Sequence, residues 1–216
     1  MHRAVIVANG ELRASASARA LAAQADLLIA ADGGAQHCRA WGLTPHIIVG
    51  DLDSLAPDNR AWFERAGVRF EVHPAKKDET DLELALGVAV REGAGEAVLL
   101  AALGARWDQS LANILLLAHP AFASLTLRLV DGPDTLWIVR DYAAVCGAPG
   151  DRLSLLPLSP EVEGVTLTGL EYPLADSTLR FGHTTGVSNV LVTAEASISV
   201  RRGVLLAIHS RAEARV

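Results

Sequence analysis

The sequence predicts an α/β fold: an N-terminal Rossmann-like parallel sheet with helices on both faces, followed by a small all-β sandwich or barrel-like domain. Three observations predict it. Two five-residue apolar runs, at 4–8 and 27–31, bracket an Ala-rich stretch of helical composition, which is a βαβ start. Strands that are apolar throughout suit a sheet covered on both sides. Beyond Asp141 the texture changes to short runs cut by Gly, Pro, Ser and Asp, with no helical pattern up to Val216.

Taken in order, residues 4–8 read as a buried strand with Asn9-Gly10 as its turn, and 15–25 as a helix with Ser15 and Ser17 as caps. The second strand, 27–31, ends at Asp32-Gly33-Gly34. A short helix at 36–41 closes at Gly42, and 46–49 is the third strand. The helix at 57–66 carries Pro57 in its first turn and Gly67 past its end, with Trp62 and Phe63 facing the core. A strand at 68–72 stops before Pro74. Thr80-Asp81-Leu82-Glu83 is a capping box, which predicts a helix over 81–91 with Gly93 beyond it. Residues 97–103 are a further strand, and Asp108 is placed to cap a helix over 109–118 ahead of Pro120. Strands at 125–130 and 135–139 flank a turn, and six more are expected at 153–158, 164–170, 178–181, 190–194, 198–201 and 203–209. The Gly147, Pro149 and Gly150 cluster puts the boundary at 142/143, giving domains 1–142 and 143–216.

With 216 residues, half of them hydrophobic, the chain has room for a sizeable core. Its net charge of −6 gives no footing for nucleic acid, which demands clustered Lys and Arg. Cys38 and Cys146 lie outside any metal or redox spacing, which suits a reduced, cytoplasmic chain. The apolar run after Met1-His2-Arg3 is too short for a secretory leader, and no run reaches transmembrane length.

The candidate chemistry sits at predicted strand ends, where ligands of open parallel sheets bind. Asp51 and Asp53 flank Leu52, so an extended backbone would aim both carboxylates to one side. Asp32 precedes Gly33-Gly34, two glycines that would let a ligand approach the backbone. Lys77-Asp78 and Asp81 gather at a helix start, and Arg106 follows the last of these strands. Carboxylates from Asp51, Asp53, Asp78 and Asp81 suit Mg2+, a hard cation that keeps several waters and takes phosphate oxygens as further ligands. Lys77 and Arg106 would neutralise phosphate charge. No Walker A or Gly-x-Gly-x-x-Gly pattern is present, so helix ends, cations and metal would have to carry phosphate binding. Lys76 reads as a surface lysine, and His37, His46, His73 and His119 as structural or surface residues without ligand spacing.

Four ordered stretches resemble the thiamine pyrophosphokinase (thiamine diphosphokinase) family: Ala31-Asp32-Gly33-Gly34-Ala35, Gly50-Asp51-Leu52-Asp53-Ser54, Lys77-Asp78-Glu79-Thr80-Asp81-Leu82-Glu83-Leu84-Ala85 and Gly104-Ala105-Arg106-Trp107-Asp108-Gln109-Ser110-Leu111-Ala112-Asn113. Gly169-Leu170-Glu171-Tyr172-Pro173-Leu174 and Val187-Ser188-Asn189 look like that family's thiamine-binding β-domain. The resemblance implies transfer of a pyrophosphoryl group from ATP to the hydroxyl of thiamine, with Mg2+ and a homodimer whose site is shared between subunits. It implies a catalytic role for Asp53, Asp78, Asp81 and Arg106, and ATP contacts from Asp32, Gly33, Gly34, Lys77, Arg106, Asp108 and Gln109. Tyr172 would stack on thiamine while Ser188 and Asn189 shape the pyrimidine pocket; without the resemblance Tyr172 reads as a surface aromatic on a strand. Ala105 stands where the family usually has glycine, so a positive φ there would strain it. Gln109 replaces a common histidine and cannot titrate. Competing readings are a pyrophosphokinase for another small alcohol such as a hydroxymethylpterin, a metal-dependent phosphohydrolase, and a non-catalytic thiamine- or nucleotide-binding module, which Ala105 alone favours.

Overall fold

The computed structural model describes residues 2–212. They form two compact units that divide between Gly132 and Pro133. The first holds six parallel strands: β1 (Arg3–Val7), β2 (Leu27–Ala31), β3 (Ile47–Gly50), β4 (Arg69–Val72), β5 (Glu96–Leu100) and β6 (Thr126–Asp131). Their order is β6-β5-β1-β2-β3-β4, so the chain runs outward from β1 to β4 and then returns to the far side of β1. That reversal places a switch point between β1 and β5, where successive connections leave in opposite directions and open a crevice.

Five helices connect these strands: α1 (Ser15–Ala23), α2 (Gly34–Ala40), α3 (Pro57–Arg65), α4 (Asp81–Arg91) and α5 (Trp107–Leu116). Strands β1, β2, β3 and β5 are buried along nearly their whole length, as both-face coverage requires, while the edge strand β4 has no buried residue and β6 alternates. Phe63, Ile48 and Val5 belong to one packed cluster with Cys38 and Trp41, and burial pushes the Cys38 thiol up to about 12. The expected capping box is half realised: Thr80 Oγ1 accepts from Glu83 N–H at 3.2 Å and starts α4 at Asp81. Two expected caps are corrected. Ser15 is the first residue of α1 and its hydroxyl accepts the Trp41 indole N–H at 2.9 Å, while Ala14 holds the cap position with no side-chain bond. Asp108 lies inside α5, whose cap position belongs to Arg106, because the helix begins two residues earlier than the Asp signal suggests.

The second unit is all-β. One antiparallel sheet runs β12 (Asn189–Val190), β9 (Arg152–Pro157), β14 (Leu205–Ser210), β7 (Asp134–Val139); the other runs β11 (Leu174–Arg180), β10 (Glu161–Thr168), β13 (Glu195–Ser199), β8 (Tyr142–Cys146). Inward residues of the two sheets, Leu153, Leu155 and Leu205 against Val162, Val165 and Ile198, make one core, so the unit is a sandwich. The contact division falls earlier than the 142/143 expected, and β7 belongs to this unit. Strand β8 is not among the expected strands; it lies directly ahead of the Gly and Pro cluster taken to mark the boundary. No helix interrupts the unit among the described residues; residues 213–216 of the stretch expected to lack helix lie outside them.

One polar group holds the end of this sandwich. Asp151 is buried and accepts from Ala148 N–H at 3.0 Å, Ala212 N–H at 2.8 Å and His209 Nε2 at 2.9 Å. Burial works to raise its pKa, but the two backbone N–H groups and His209 outweigh it and hold the carboxyl below the ordinary carboxylate value.

Candidate active site

Beyond the carboxyl ends of β1, β2, β3 and β5 the first unit opens a cavity of about 670 Å3, large enough for a nucleotide-sized ligand. Its walls carry Asp32, Asp51, Asp53, Asp81, Arg106 and Gln109 among others. The switch point of the sheet therefore supplies the site, as the strand-end positions of these residues anticipate.

The carboxylates converge by a different route from the one expected. Leu52 has φ 65°, so the backbone is not extended between Asp51 and Asp53. Leu52 turns its side chain into the core, and a left-handed residue lets both neighbours swing to the cavity. Asp53 N–H donates to Asp51 Oδ1 at 3.1 Å, and Ser54 Oγ donates to Asp53 Oδ1 at 3.1 Å, which closes the turn. Asp32 at the end of β2 has φ 43°, and Ala101 after β5 has φ 52°. Three left-handed non-glycine residues at neighbouring strand ends are backbone strain gathered at one place, which folds tolerate chiefly where function needs the geometry.

Asp32, Asp51 and Asp53 each place a carboxylate oxygen within 4.8 Å of the others. Asp32 is 7% exposed and its Oδ1 has no hydrogen-bond partner. Burial raises its pKa, the charges of Asp81 and Asp51 add to that, and Ser54 and the Gly33 amide offset it in part. A buried, unpaired carboxylate oxygen beside two further carboxylates fits a hard divalent cation, which would satisfy the orphan oxygen and the like charges together. Asp81 belongs beside this group: a Cβ on Gly50 would lie 2.9 Å from the Asp32 Cβ and 3.2 Å from Asp81 Oδ1. Gly50 (φ 148°) is thus the glycine that lets β3 end against both carboxylates. Lys77 Nζ donates to Asp81 Oδ1 at 2.7 Å and reaches the cluster through that ion pair, without lining the cavity itself.

Other expected residues lie elsewhere or act differently. Asp78 is exposed and stands outside both the carboxylate group and the cavity wall. Gly33 and Gly34 do not line the cavity either; a Cβ on Gly34 would sit 1.9 Å from Val7 O, and one on Gly33 2.3 Å from the Asn9 side chain. They let α2 begin tight against the end of β1, a packing demand on both positions. Ala105 is not among the positive-φ residues, so alanine is unstrained there and the feature favouring a non-catalytic module falls away. Arg106 reaches Asp108 through two bonds, at 3.2 and 2.5 Å, and the guanidinium holds the Asp108 carboxyl below the ordinary range. Arg106 lines the cavity and Asp108 does not.

In the sandwich, Tyr172 is 63% exposed. Asn189 is only 5% exposed: its Oδ1 accepts from Tyr172 N–H at 3.0 Å and Val190 N–H at 2.9 Å, and its Nδ2 donates to Tyr172 O at 2.7 Å. Its amide clamps the Tyr172 backbone. Ser188 is exposed with φ 60°, and its N–H donates to Ser154 Oγ at 3.0 Å. Among the histidines, His37 Nε2 contacts Gly10 O at 3.0 Å, His46 Nδ1 accepts from Leu28 N–H at 2.8 Å, and His119 caps a 3-10 turn. The expectation of structural roles holds for these three.

Sequence reasoning gave no role to Ser110 and Asn113, which also line the cavity. The signal was available: after Asp108, the polar positions of α5 are Gln109, Ser110 and Asn113, and Asn113 follows the other two by four and three residues, which puts it on their face.

Fold and site together define the class: an α/β unit that gathers carboxylates around a cavity at a parallel-sheet switch point, with an antiparallel β module following it in the chain. Residues 18–129 match the family described as thiamin pyrophosphokinase, catalytic domain, and residues 143–205 match thiamin pyrophosphokinase, vitamin B1 binding domain. Thiamine pyrophosphokinase of Bacillus subtilis (strain 168) is 30% identical over 186 residues, 85% of this chain and 87% of that protein. The crystal structure of the Bacillus subtilis enzyme superposes with a TM-score of 0.87 at 27% identity, covering 98% of this chain and 100% of the other. A thiamin pyrophosphokinase from Geobacillus thermodenitrificans gives 0.84 at 27% identity, covering 99% and 100%. The chain belongs to the thiamin pyrophosphokinase family.

Proposed function

We propose that the chain transfers the pyrophosphoryl group of ATP to the hydroxyl of thiamine, giving thiamine diphosphate and AMP. The observation that carries the reading is the buried, unpaired Asp32 oxygen in a carboxylate group opening onto a nucleotide-sized cavity, in a chain of this family. The thiamine hydroxyl oxygen bonds to the β-phosphorus and gives up its proton to solvent, the bond from that phosphorus to the α,β-bridging oxygen breaks, and AMP leaves with the electron pair. Asp32, Asp51 and Asp53, with Asp81 beside them, would hold Mg2+, which when bound supplies positive charge against the phosphate oxygens. Arg106 lies at the cavity wall on an exposed, mobile-length side chain and neutralises charge on the transferring group. Lys77, held by Asp81, adds a second cation behind that carboxylate. Gln109 offers hydrogen bonds to the nucleotide without acid-base chemistry.

On the acceptor side, Tyr172 stacks on the thiamine rings, and Asn189 fixes the backbone that presents it. The reading includes a homodimer: Tyr172, Phe181, Val187 and Val192 are exposed apolar groups of the sandwich, a surface suited to cover by a partner subunit. It includes a cytoplasmic location, with both cysteines free. No helix among the described residues is long and apolar enough to cross a membrane. Both family matches speak against a pterin or other acceptor.

The test is incubation of the purified chain with Mg2+, ATP and thiamine, following AMP and thiamine diphosphate by chromatography beside a thiamine-free control. Equal, thiamine-dependent formation of both is expected. AMP without thiamine diphosphate would overturn the reading in favour of hydrolysis or another acceptor.

A further inference from the structure

After β5 the chain crosses the cavity rim as Ala101, Ala102, Leu103 and Gly104, and all four carbonyls are tied off. The loop after β1 takes two of them: Gly10 N–H donates to Ala101 O at 2.7 Å, and Glu11 N–H donates to Leu103 O at 2.8 Å. Helix α5 takes the other two: Asn113 Nδ2 donates to Ala102 O at 2.7 Å, and Ser110 Oγ donates to Gly104 O at 3.2 Å while accepting from Gly104 N–H at 3.1 Å. Ser110 is buried and Asn113 half-buried, so both are fixed by their surroundings.

The amides of the same strap have a different fate. Those of Ala102, Leu103 and Ala105 have no hydrogen-bond partner among the described residues, although Ala102 is buried, and all three residues line the cavity. Ala101, in the left-handed region at φ 52°, turns the chain here, the type of conformation that gathers successive N–H groups on one concave side. An unpaired amide on a buried residue such as Ala102 is rare; Leu103 is half-buried and Ala105 exposed, and beside the four paired carbonyls these three free N–H groups leave the positive ends of the strap in excess.

We infer that this strap is a backbone anion site for the polyphosphate of the donor, and that Ser110 and Asn113 are its positioning residues. By occupying the Ala102 and Gly104 carbonyls they keep the negative ends of those peptides from a bound phosphate and hold the amides toward it. The identity of the ligand rests on the proposed pyrophosphoryl transfer; the anionic character of the strap does not.

The experiment uses the full chain and two variants, Ser110→Ala and Asn113→Ala, with inorganic tripolyphosphate and Mg2+ as the probe in calorimetric titration. Steady-state KM values for ATP and thiamine and thermal melting are measured alongside. Each variant should weaken tripolyphosphate binding and raise the KM for ATP by about tenfold, with the KM for thiamine within about twofold. Asn113→Ala keeps the test open if Ser110→Ala does not fold. Wild-type tripolyphosphate affinity in a folded variant, or parallel rises in both KM values, would overturn the inference. If the wild-type chain makes thiamine diphosphate and the variants keep its ATP KM, the inference alone fails. If it makes none yet binds tripolyphosphate in a Ser110- and Asn113-dependent way, the anion site stands and the functional reading fails.

Discussion

Replacing Asp32 by Asn should stabilise the metal-free protein while removing its response to Mg2+. Carboxylate oxygens of Asp32, Asp51 and Asp53 lie within 4.8 Å of one another. Two unit charges at that distance repel by roughly 0.9 kcal/mol in bulk water and about 3.5 kcal/mol at an effective dielectric of about 20. Asp53 is exposed and Asp51 half-buried, so the lower part of that range applies. Asparagine keeps the shape, tolerates the φ of 43°, and offers an N–H donor to the neighbouring carboxylates. The net expectation is a gain of about 1 to 2 kcal/mol in chelator, or roughly 2 to 8 °C in the melting temperature of the α/β unit. Melting would be followed by circular dichroism, first with chelator and then with Mg2+. Mg2+ should raise the wild-type melting temperature and leave the variant's unchanged, and turnover should fall by about 100-fold or more. A variant that melts below wild type in chelator, or that keeps the wild-type rise with Mg2+, would refute the reasoning.

Further outcomes follow from residues the structure places differently. Arg106→Ala should lower kcat/KM by about 100-fold with unchanged melting, since the side chain is exposed; a loss under about threefold would remove it from the site. Asp78→Ala should keep the Mg2+-induced rise in melting temperature, and loss of that rise would return Asp78 to the metal group. Asn189→Ala breaks three part-buried hydrogen bonds and should destabilise the sandwich by about 1 to 3 kcal/mol in denaturant titration. Tyr172→Ala should melt as wild type and raise the KM for thiamine more than that for ATP, equal rises being the contrary result. Asp151→Ala should cost about 3 kcal/mol at pH 7. Because the folded-state pKa of Asp151 lies below its ordinary 3.8, its contribution is present above that value and is lost as pH falls through the folded one. The deficit measured by denaturant titration should therefore shrink below about pH 4, and a deficit independent of pH would contradict the assignment.

Local signals carried most of the α/β unit into view. The apolar runs of β1, β2 and β3 are legible because they are buried on both faces, and α4 because Thr80 caps it where the pattern says. The site was legible as a set of strand ends, but not as a geometry. Asp51 and Asp53 converge through a left-handed Leu52, a conformation that leucine's own preferences oppose and that only the surrounding core imposes. The Gly33-Gly34 pair looked like a ligand approach and also lets a helix pack against the Val7 carbonyl, a contact between segments far apart in sequence. Asn189 was read as facing a ligand, and nothing local signals its burial or its clamp on the Tyr172 backbone. Strand β8 was hidden by the turn residues that follow it, since a Gly and Pro cluster marks a tight turn and a linker alike.

The most direct test of the account is the fate of ATP labelled at its β-phosphorus during turnover with thiamine and Mg2+. Pyrophosphoryl transfer predicts that the label moves to thiamine diphosphate and that AMP is the nucleotide product from the first turnover onward. Label retained in ADP, or thiamine monophosphate formed ahead of the diphosphate, would contradict it.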